Sequence, residues 1–199
     1  MVDMDRFSKQ IDFIVEIDKL KQIKRQSALC DASRQENVAE HSWHIALMAI
    51  LLNEYANNID IDILKVIKML LIHDIVEIYA GDTFAYDPVR NSHKEKRERE
   101  AAIQIFGLLP GDQKEEFHSL WKEYESMMTP EAQFASALDK LQPLILSHNN
   151  KGWSWKKHSI VSSQIVDSKR DISKGSEELW EYAKSLIQKS IDAGFLVED

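Results

Sequence analysis

The 199-residue chain carries 33 acidic against 25 basic side chains, a formal net charge of −8. That balance argues against gripping a nucleic-acid polymer, which needs a basic patch; a small phosphorylated substrate stays open, because a metal ion supplies local positive charge. The single cysteine, Cys30, excludes an internal disulfide and any Cys-rich zinc cluster.

No charged-then-apolar leader and no apolar run of about 18 residues is visible, so no membrane association and a cytoplasmic setting are expected. Six Gly and four Pro are few, and apolar residues recur mostly at helical spacing. The length suits one domain over residues 1–199 with a sizeable core. The fold expected is therefore all-α.

The first helix is expected from about Asp5 to Ile23, with Phe7, Ile11, Ile14, Ile17 and Leu20 inward. A polar connection over Lys24–Glu36 follows, bearing Arg25 and Arg34. Asn37 reads as an N-cap and Glu40 completes a capping box. The helix it opens carries His41, Trp43 and His44 and reaches about Tyr55. Asn57-Asn58 turn the chain, and Asp60 is expected to cap a second, strongly apolar helix over Ile61–Ala80 that bears His73 and Asp74.

So short a connection makes the two helices antiparallel. Counted from the turn, His41 and His73 rise roughly 25 Å and 22 Å at about 1.5 Å per residue, which sets them facing each other. An isolated His-Asp pair is more often a packed core histidine with a locally paired Asp. A buried carboxylate nonetheless needs a partner or a metal, and a second histidine at the same level supplies a reason for one.

Gly81-Asp82 ends this helix and starts a loop through Pro88 that can wall a cleft. His93–Phe106 is helical and reads as a solvated face tied by i,i+4 pairs. Asp112–Met127 is amphipathic. Thr129-Pro130 caps a helix through Leu138 and Leu141. Asp139 in it, taken alone, reads as a residue paired with Lys140. Gly152-Trp153-Ser154-Trp155 breaks the pattern, and the two tryptophans suit a cleft rim or a subunit contact. Helical segments near Ile160–Lys169 and Glu177–Ala193 close the chain, with Gly194 after the last. Trp43, Trp121 and Trp180 fall within helical patterns and read as core.

His41, His73, Asp74 and Asp139 make a two-histidine, two-carboxylate set suited to one divalent ion such as Mn, Co, Fe, Ni, Mg or Zn. Glu77, one turn beyond His73, can orient or deprotonate an attacking water, though spacing alone equally describes an exposed helix residue. Asp82 can protonate a leaving alkoxide, though after Gly81 the turn reading leads. Arg25 or Arg34 can clamp phosphate oxygens, although Arg25, following Lys24, also suits simple solvation. His44 suits packing or support of a ligand rather than ligation.

At these residues the chain resembles the HD-domain phosphohydrolases, named for their adjacent His-Asp ligands. The strings that carry the likeness are Glu36-Asn37-Val38-Ala39-Glu40-His41-Ser42, His73-Asp74-Ile75-Val76-Glu77, Gly81-Asp82 and Leu138-Asp139-Lys140. The likeness covers about residues 20–145 and is greatest to the bacterial 5′-deoxynucleotidase-like branch. It implies an HD-type helical bundle completed by the C-terminal helices, a divalent metal on His41, His73, Asp74 and Asp139, and hydrolysis of a nucleoside 5′-monophosphate or similar small phosphorylated substrate. It implies Glu77 positioning water, Asp82 near the leaving group, Arg25 on the phosphate, and a homodimer. The alternatives are pyrophosphate or phosphodiester cleavage on the same fold, and a non-catalytic metal- and nucleotide-binding protein. One departure stands out: nucleotidase members follow that arginine with a tryptophan that recognises the nucleoside, and here Gln26 follows Arg25. Gln142-Pro143 and Trp153-Ser154-Trp155 resemble a bacterial subgroup.

Overall fold

Asp3 accepts from the backbone N–H groups of Asp5 and Arg6 and so opens α1 (Met4–Ile17), which tightens into a 3₁₀ turn over Asp18–Gln22. The computed structural model describes residues 3–199, except the side chains at 88 and 90. The apolar stripe expected to face inward does not. Phe7, Ile11 and Ile14 are 48%, 41% and 57% exposed, and α1 docks through Phe13 instead. Phe13 meets Phe117 edge-on at 5.8 Å, and Arg6 holds Asp112 at 2.6 Å. Both partners belong to α7 (Gly111–Ser126). Of the expected inward set, Leu20 is buried and Ile17 packs partly against the core.

The polar connection is in fact a two-stranded antiparallel ribbon, β1 (Lys24–Ala28) with β2 (Gln35–Asn37). Its sequence shows no apolar alternation, so the pairing is invisible to a pattern search. The ribbon leads straight into α2 (Val38–Leu52), whose Asn37–Glu40 capping box forms as expected. α3 (Ile63–Ile72) is capped by Asp62, not Asp60. It packs on α2.

The second apolar helix does not run unbroken to Ala80. His73–Val76 is a 3₁₀ turn, followed by α4 (Glu77–Ala80) and Gly81 at φ 74°. That left-handed backbone, cheap only for glycine, turns the chain into the 82–87 loop. α5 (Pro88–Asn91) and α6 (Lys94–Phe106) follow. α8 (Pro130–Asn149), capped by Thr129 with Pro130 in its first turn, is the spine against which α2, α3, α7 and α12 pack.

Gly152, at φ 73°, ends the break after α8; a Cβ there would meet the Phe195 carbonyl oxygen at 2.2 Å. α9 (Trp153–His158), α10 (Ser162–Lys169), the short α11 (Ile172–Gly175) and α12 (Glu177–Asp192) complete the bundle. Gly194 takes the positive φ expected of a residue closing a helix. The main core is one connected cluster from Phe13 to Leu196. Trp121 belongs to it and Trp180 packs against it, but Trp43 is 64% exposed, contrary to its core reading. Among the described residues no helix is long and apolar enough to cross a membrane.

Candidate metal centre and active site

Three elements bring the histidines and carboxylates together. The capping box fixes the first turn of α2 and with it His41; the 3₁₀ turn after α3 offers His73 and Asp74; the middle of α8 offers Asp139. The two imidazole rings lie 6.0 Å apart. Potential ligand atoms of His41, His73 and Asp139 all fall within 4.8 Å of one another. Asp74 borders this triad: its Oδ1 is 3.1 Å from His73 Nε2 and its Oδ2 is 4.0 Å from His41 Nε2. Asp139 is thus a member of the cluster and not a simple partner of Lys140, which donates to Ser136 Oγ.

The hydrogen bonds behind the rings select their tautomers. His41 Nδ1 lies 3.1 Å from Gln142 Oε1, and His73 Nδ1 lies 3.0 Å from the Leu70 carbonyl oxygen. Both partners can only accept, so each Nδ1 donates and each Nε2 is the nitrogen turned to the cluster, the atom that would coordinate a cation. His41 Nε2 lies 2.9 Å from Asp139 Oδ1, whereas His73 Nε2 is buried without a hydrogen-bond partner among the described residues. Nitrogen lone pairs and carboxylates converging in a buried space fit a divalent cation.

Gln142 is itself held: its Nε2 donates to Glu36 Oε1 at 2.6 Å and lies 3.2 Å from His44 Nδ1. Glu36, 2% exposed, also accepts from Ser27 Oγ. Tyr124 donates its hydroxyl to Asp139 Oδ2 at 3.0 Å. The sequence alone assigns Glu36, Gln142 and Tyr124 no role. For Gln142 there was a signal: it lies three residues after Asp139 on the same helix, one turn along the same face.

Electrostatically the cluster is built to hold positive charge. Burial by itself would depress the His73 imidazole, yet the Asp74 and Asp139 carboxylates raise it to about 10. Burial opposes ionisation of Asp74 and Asp139, but His73 and Arg25 hold Asp74 below its ordinary range, and His41 and His73 hold Asp139 well below it. Glu77 behaves oppositely. Burial and the neighbouring Asp74 raise its carboxyl well above the usual range, and its Oε2 has no hydrogen-bond partner among the described residues. Asp82 is raised as well, chiefly by burial with Asp74 adding and Arg25 opposing.

Arg25, on β1, donates to Asp74 Oδ2 at 2.7 Å and lies 3.9 Å from Asp139 Oδ1. It is therefore not a solvated residue. Arg34 pairs with Glu40 and is no part of the site. A cavity of about 340 Å³ opens from this cluster, and Arg25, Asp74, Glu77, Asp82 and Asp139 all line it. The 82–86 segment forms one wall, as expected, and Trp155 and Lys169 belong to the lining. Trp155 is buried; Trp153 is partly exposed, under the Lys157 ammonium. Gln26 also lines the cavity and its Oε1 meets His158 Nε2 at 3.1 Å. α6 corrects its solvated reading in part. Its i,i+4 pairs form, but Glu98 is 5% exposed and Lys94 faces the cavity.

This chain is matched by the HD domain family over residues 17–180. A Magnetospirillum magnetotacticum protein, described as a predicted metal-dependent phosphohydrolase, has a crystal structure that is 50% identical. It superposes with a TM-score of 0.92, covering 97% of this chain and 96% of that one. The 5′-deoxynucleotidase HDDC2 of Danio rerio is 30% identical over 139 residues, 69% of this chain and 68% of that protein. Its human counterpart is 31% identical over 136 residues, 68% of this chain and 65% of that protein. The chain belongs to the HD-domain family of metal-dependent phosphohydrolases.

Proposed function

We propose that the chain hydrolyses the phosphomonoester of a nucleoside 5′-monophosphate or a closely similar small phosphorylated substrate, with one divalent cation held by His41, His73, Asp74 and Asp139. The observation that carries this reading is the pair of histidines whose Nδ1 atoms are bound from behind, leaving both Nε2 atoms turned to carboxylates beside a cavity. When bound, the cation supplies Lewis-acid polarisation of the phosphoryl group and acidifies water.

The chain's own groups divide the remaining work. Arg25 neutralises phosphate oxygens. Glu77, with its raised carboxyl, takes a proton from the attacking water as the new P–O bond forms. Asp82, also raised, gives its proton to the 5′-oxygen as the ester P–O bond breaks. Gln26 in place of a tryptophan leaves the sugar wall bounded by an amide tied to His158. The names of the curated relatives support a deoxynucleotide substrate.

The test is phosphate release from ribo- and deoxyribonucleoside 5′-monophosphates with Mn²⁺, Co²⁺ or Mg²⁺, or with EDTA. Release that EDTA stops is expected. Pyrophosphate release from triphosphates, with monophosphates untouched, would sink the phosphomonoesterase reading.

The same reading takes residues 1–199 as one domain, supported by the connected core, and the working unit as a cytoplasmic homodimer. Support for the dimer comes from apolar stripes at helical spacing left open on one copy: Phe7, Ile11 and Ile14 on α1, and Trp43, Leu47 and Ile50 on α2. Sedimentation of the protein should give twice the mass of the chain, and Leu47→Glu should shift it to monomer. A monomeric wild type at micromolar concentration would remove the dimer.

A further inference from the structure

Four cationic side chains line the cavity: Arg25, Lys94, Lys140 and Lys169. Two of them have anionic partners, Arg25 with Asp74 at 2.7 Å and Lys94 with Glu98 at 3.6 Å. The other two do not. Among the described residues, Lys140, on α8, donates only to the neutral Ser136 Oγ, and Lys169, at the end of α10, has no hydrogen-bond or ion-pair partner. Its neighbours on α10 that share the cavity lining, Ser168 and Ile165, are uncharged. Ser168 Oγ is engaged with the Tyr86 hydroxyl at 2.9 Å, and Ile165 and Trp155 are apolar.

Burial pushes the Lys169 ammonium down to about 8, with the Asp139 carboxylate opposing and Lys140 and Arg25 adding to the push. Lys140 and Lys169 both face the same cavity. Holding two like charges in one partly buried cavity costs stability unless an anion completes the site. Arg25 and Lys94 differ in being ion-paired already, Arg25 to Asp74 at the metal end and Lys94 to Glu98.

We propose that Lys140 and Lys169 form a second anion subsite in the cavity, so that the preferred substrate is a phosphomonoester bearing a further negative group, phosphate or carboxylate, on the part of the molecule that is not hydrolysed. The inference rests on the phosphomonoesterase reading for its chemistry. The subsite itself can be read by binding alone.

The experiment compares two substrate pairs with the metal-loaded enzyme. Adenosine 3′,5′-bisphosphate against adenosine 5′-monophosphate reads a second phosphate; orotidine 5′-monophosphate against uridine 5′-monophosphate reads a carboxylate. Product identification confirms loss of the 5′-phosphate. One doubly anionic member should show a kcat/KM advantage of about 10-fold or more, the size expected of a charge-assisted hydrogen bond. The pair that shows it names the anion. Lys169→Met should collapse that ratio, chiefly through KM, and Lys169→Arg should largely restore it. Calorimetric binding of the same four compounds to wild type and Lys169→Met reads the subsite without turnover. If no compound is turned over but Lys169→Met still weakens the doubly anionic ligand selectively, the phosphomonoesterase reading fails and the subsite stands. Equal use and equal binding within both pairs, or an equal loss on all four compounds in Lys169→Met, would overturn the proposal. The equal loss would put Lys169 on the reacting phosphate.

Discussion

On the metal side of the cavity, His41, His73, Asp74, Asp139 and Arg25 interlock at 2.7–4.0 Å, and Gln142, Glu36 and Tyr124 hold them from behind. Around the rest of the cavity, the lining comes from the loop after Gly81, from α9 and from α10, and its cation Lys169 has no such partner among the described residues. The groups of the first region are held in place by one another before any ligand arrives; the cation of the second is left for a ligand to engage. Groups that hold a cation and activate water must be in place beforehand, because misplacement by an ångström costs rate steeply. Groups that choose among substrates can wait for the substrate to satisfy them.

The largest effect that separates the two regions belongs to Glu77. Glu77→Gln keeps the side-chain volume and removes the base, so kcat should fall by ~10²–10⁴-fold with the helical circular dichroism unchanged. Because burial and Asp74 raise the Glu77 carboxyl well above its ordinary range, wild-type activity should be lost as the pH falls through that raised value. The variant should lack that acid limb. A variant as active as wild type would take Glu77 out of the chemistry.

Local signals explain which parts of this arrangement were legible in the sequence. The Asn37–Glu40 capping box is written in four residues, so the start of α2 and the level of His41 could be read directly. The short turn after α2 then fixed His73 opposite, and the four proposed ligands followed from two helices and a resemblance. What was lost depends on other parts of the chain. Periodicity identified the stripe Phe7, Ile11, Ile14 as apolar, but it cannot say whether the covering surface lies in the same molecule, and here Phe13 makes the intramolecular contact. Lys94 and Glu98 sit in a run of seven charged residues that reads as solvated, yet one turn of that run is packed beside the active site. The β1–β2 ribbon is polar because its backbone, rather than an apolar face, does the pairing.

A middle-sized effect tests whether the support behind the ligands matters as much as the ligands' own placement. Gln142→Leu removes the acceptor of the His41 Nδ1 proton and leaves Glu36 without its amide donor. Loss of such a partner should weaken metal binding by ~10–100-fold. Titration with Co²⁺, followed by its absorption, should show the shift, with kcat recovering at saturating metal. An unchanged affinity would mean that Glu36, 3.6 Å from His41 Nδ1, can hold the ring by itself.

The smallest effect concerns the buried charge next to the cavity and is read in stability rather than rate. Burial raises Glu98 to about 7, with Lys94 opposing and Glu125 adding to the rise. In the unfolded chain the same carboxyl ionises near its ordinary value of 4.5. Between those two values the folded protein keeps the proton that the unfolded chain releases, so stability falls as the pH rises from about 4.5 to about 7 and the loss levels off above. Glu98→Gln cannot ionise. Its melting temperature relative to wild type should therefore climb through that window and plateau beyond it, by a few degrees at most because Lys94 loses its partner in exchange. A difference that stays flat with pH would mean that Glu98 ionises like an exposed carboxylate. Lys94 would then face the cavity beside a full negative charge, and the metal end would be less positive than the geometry of α6 implies.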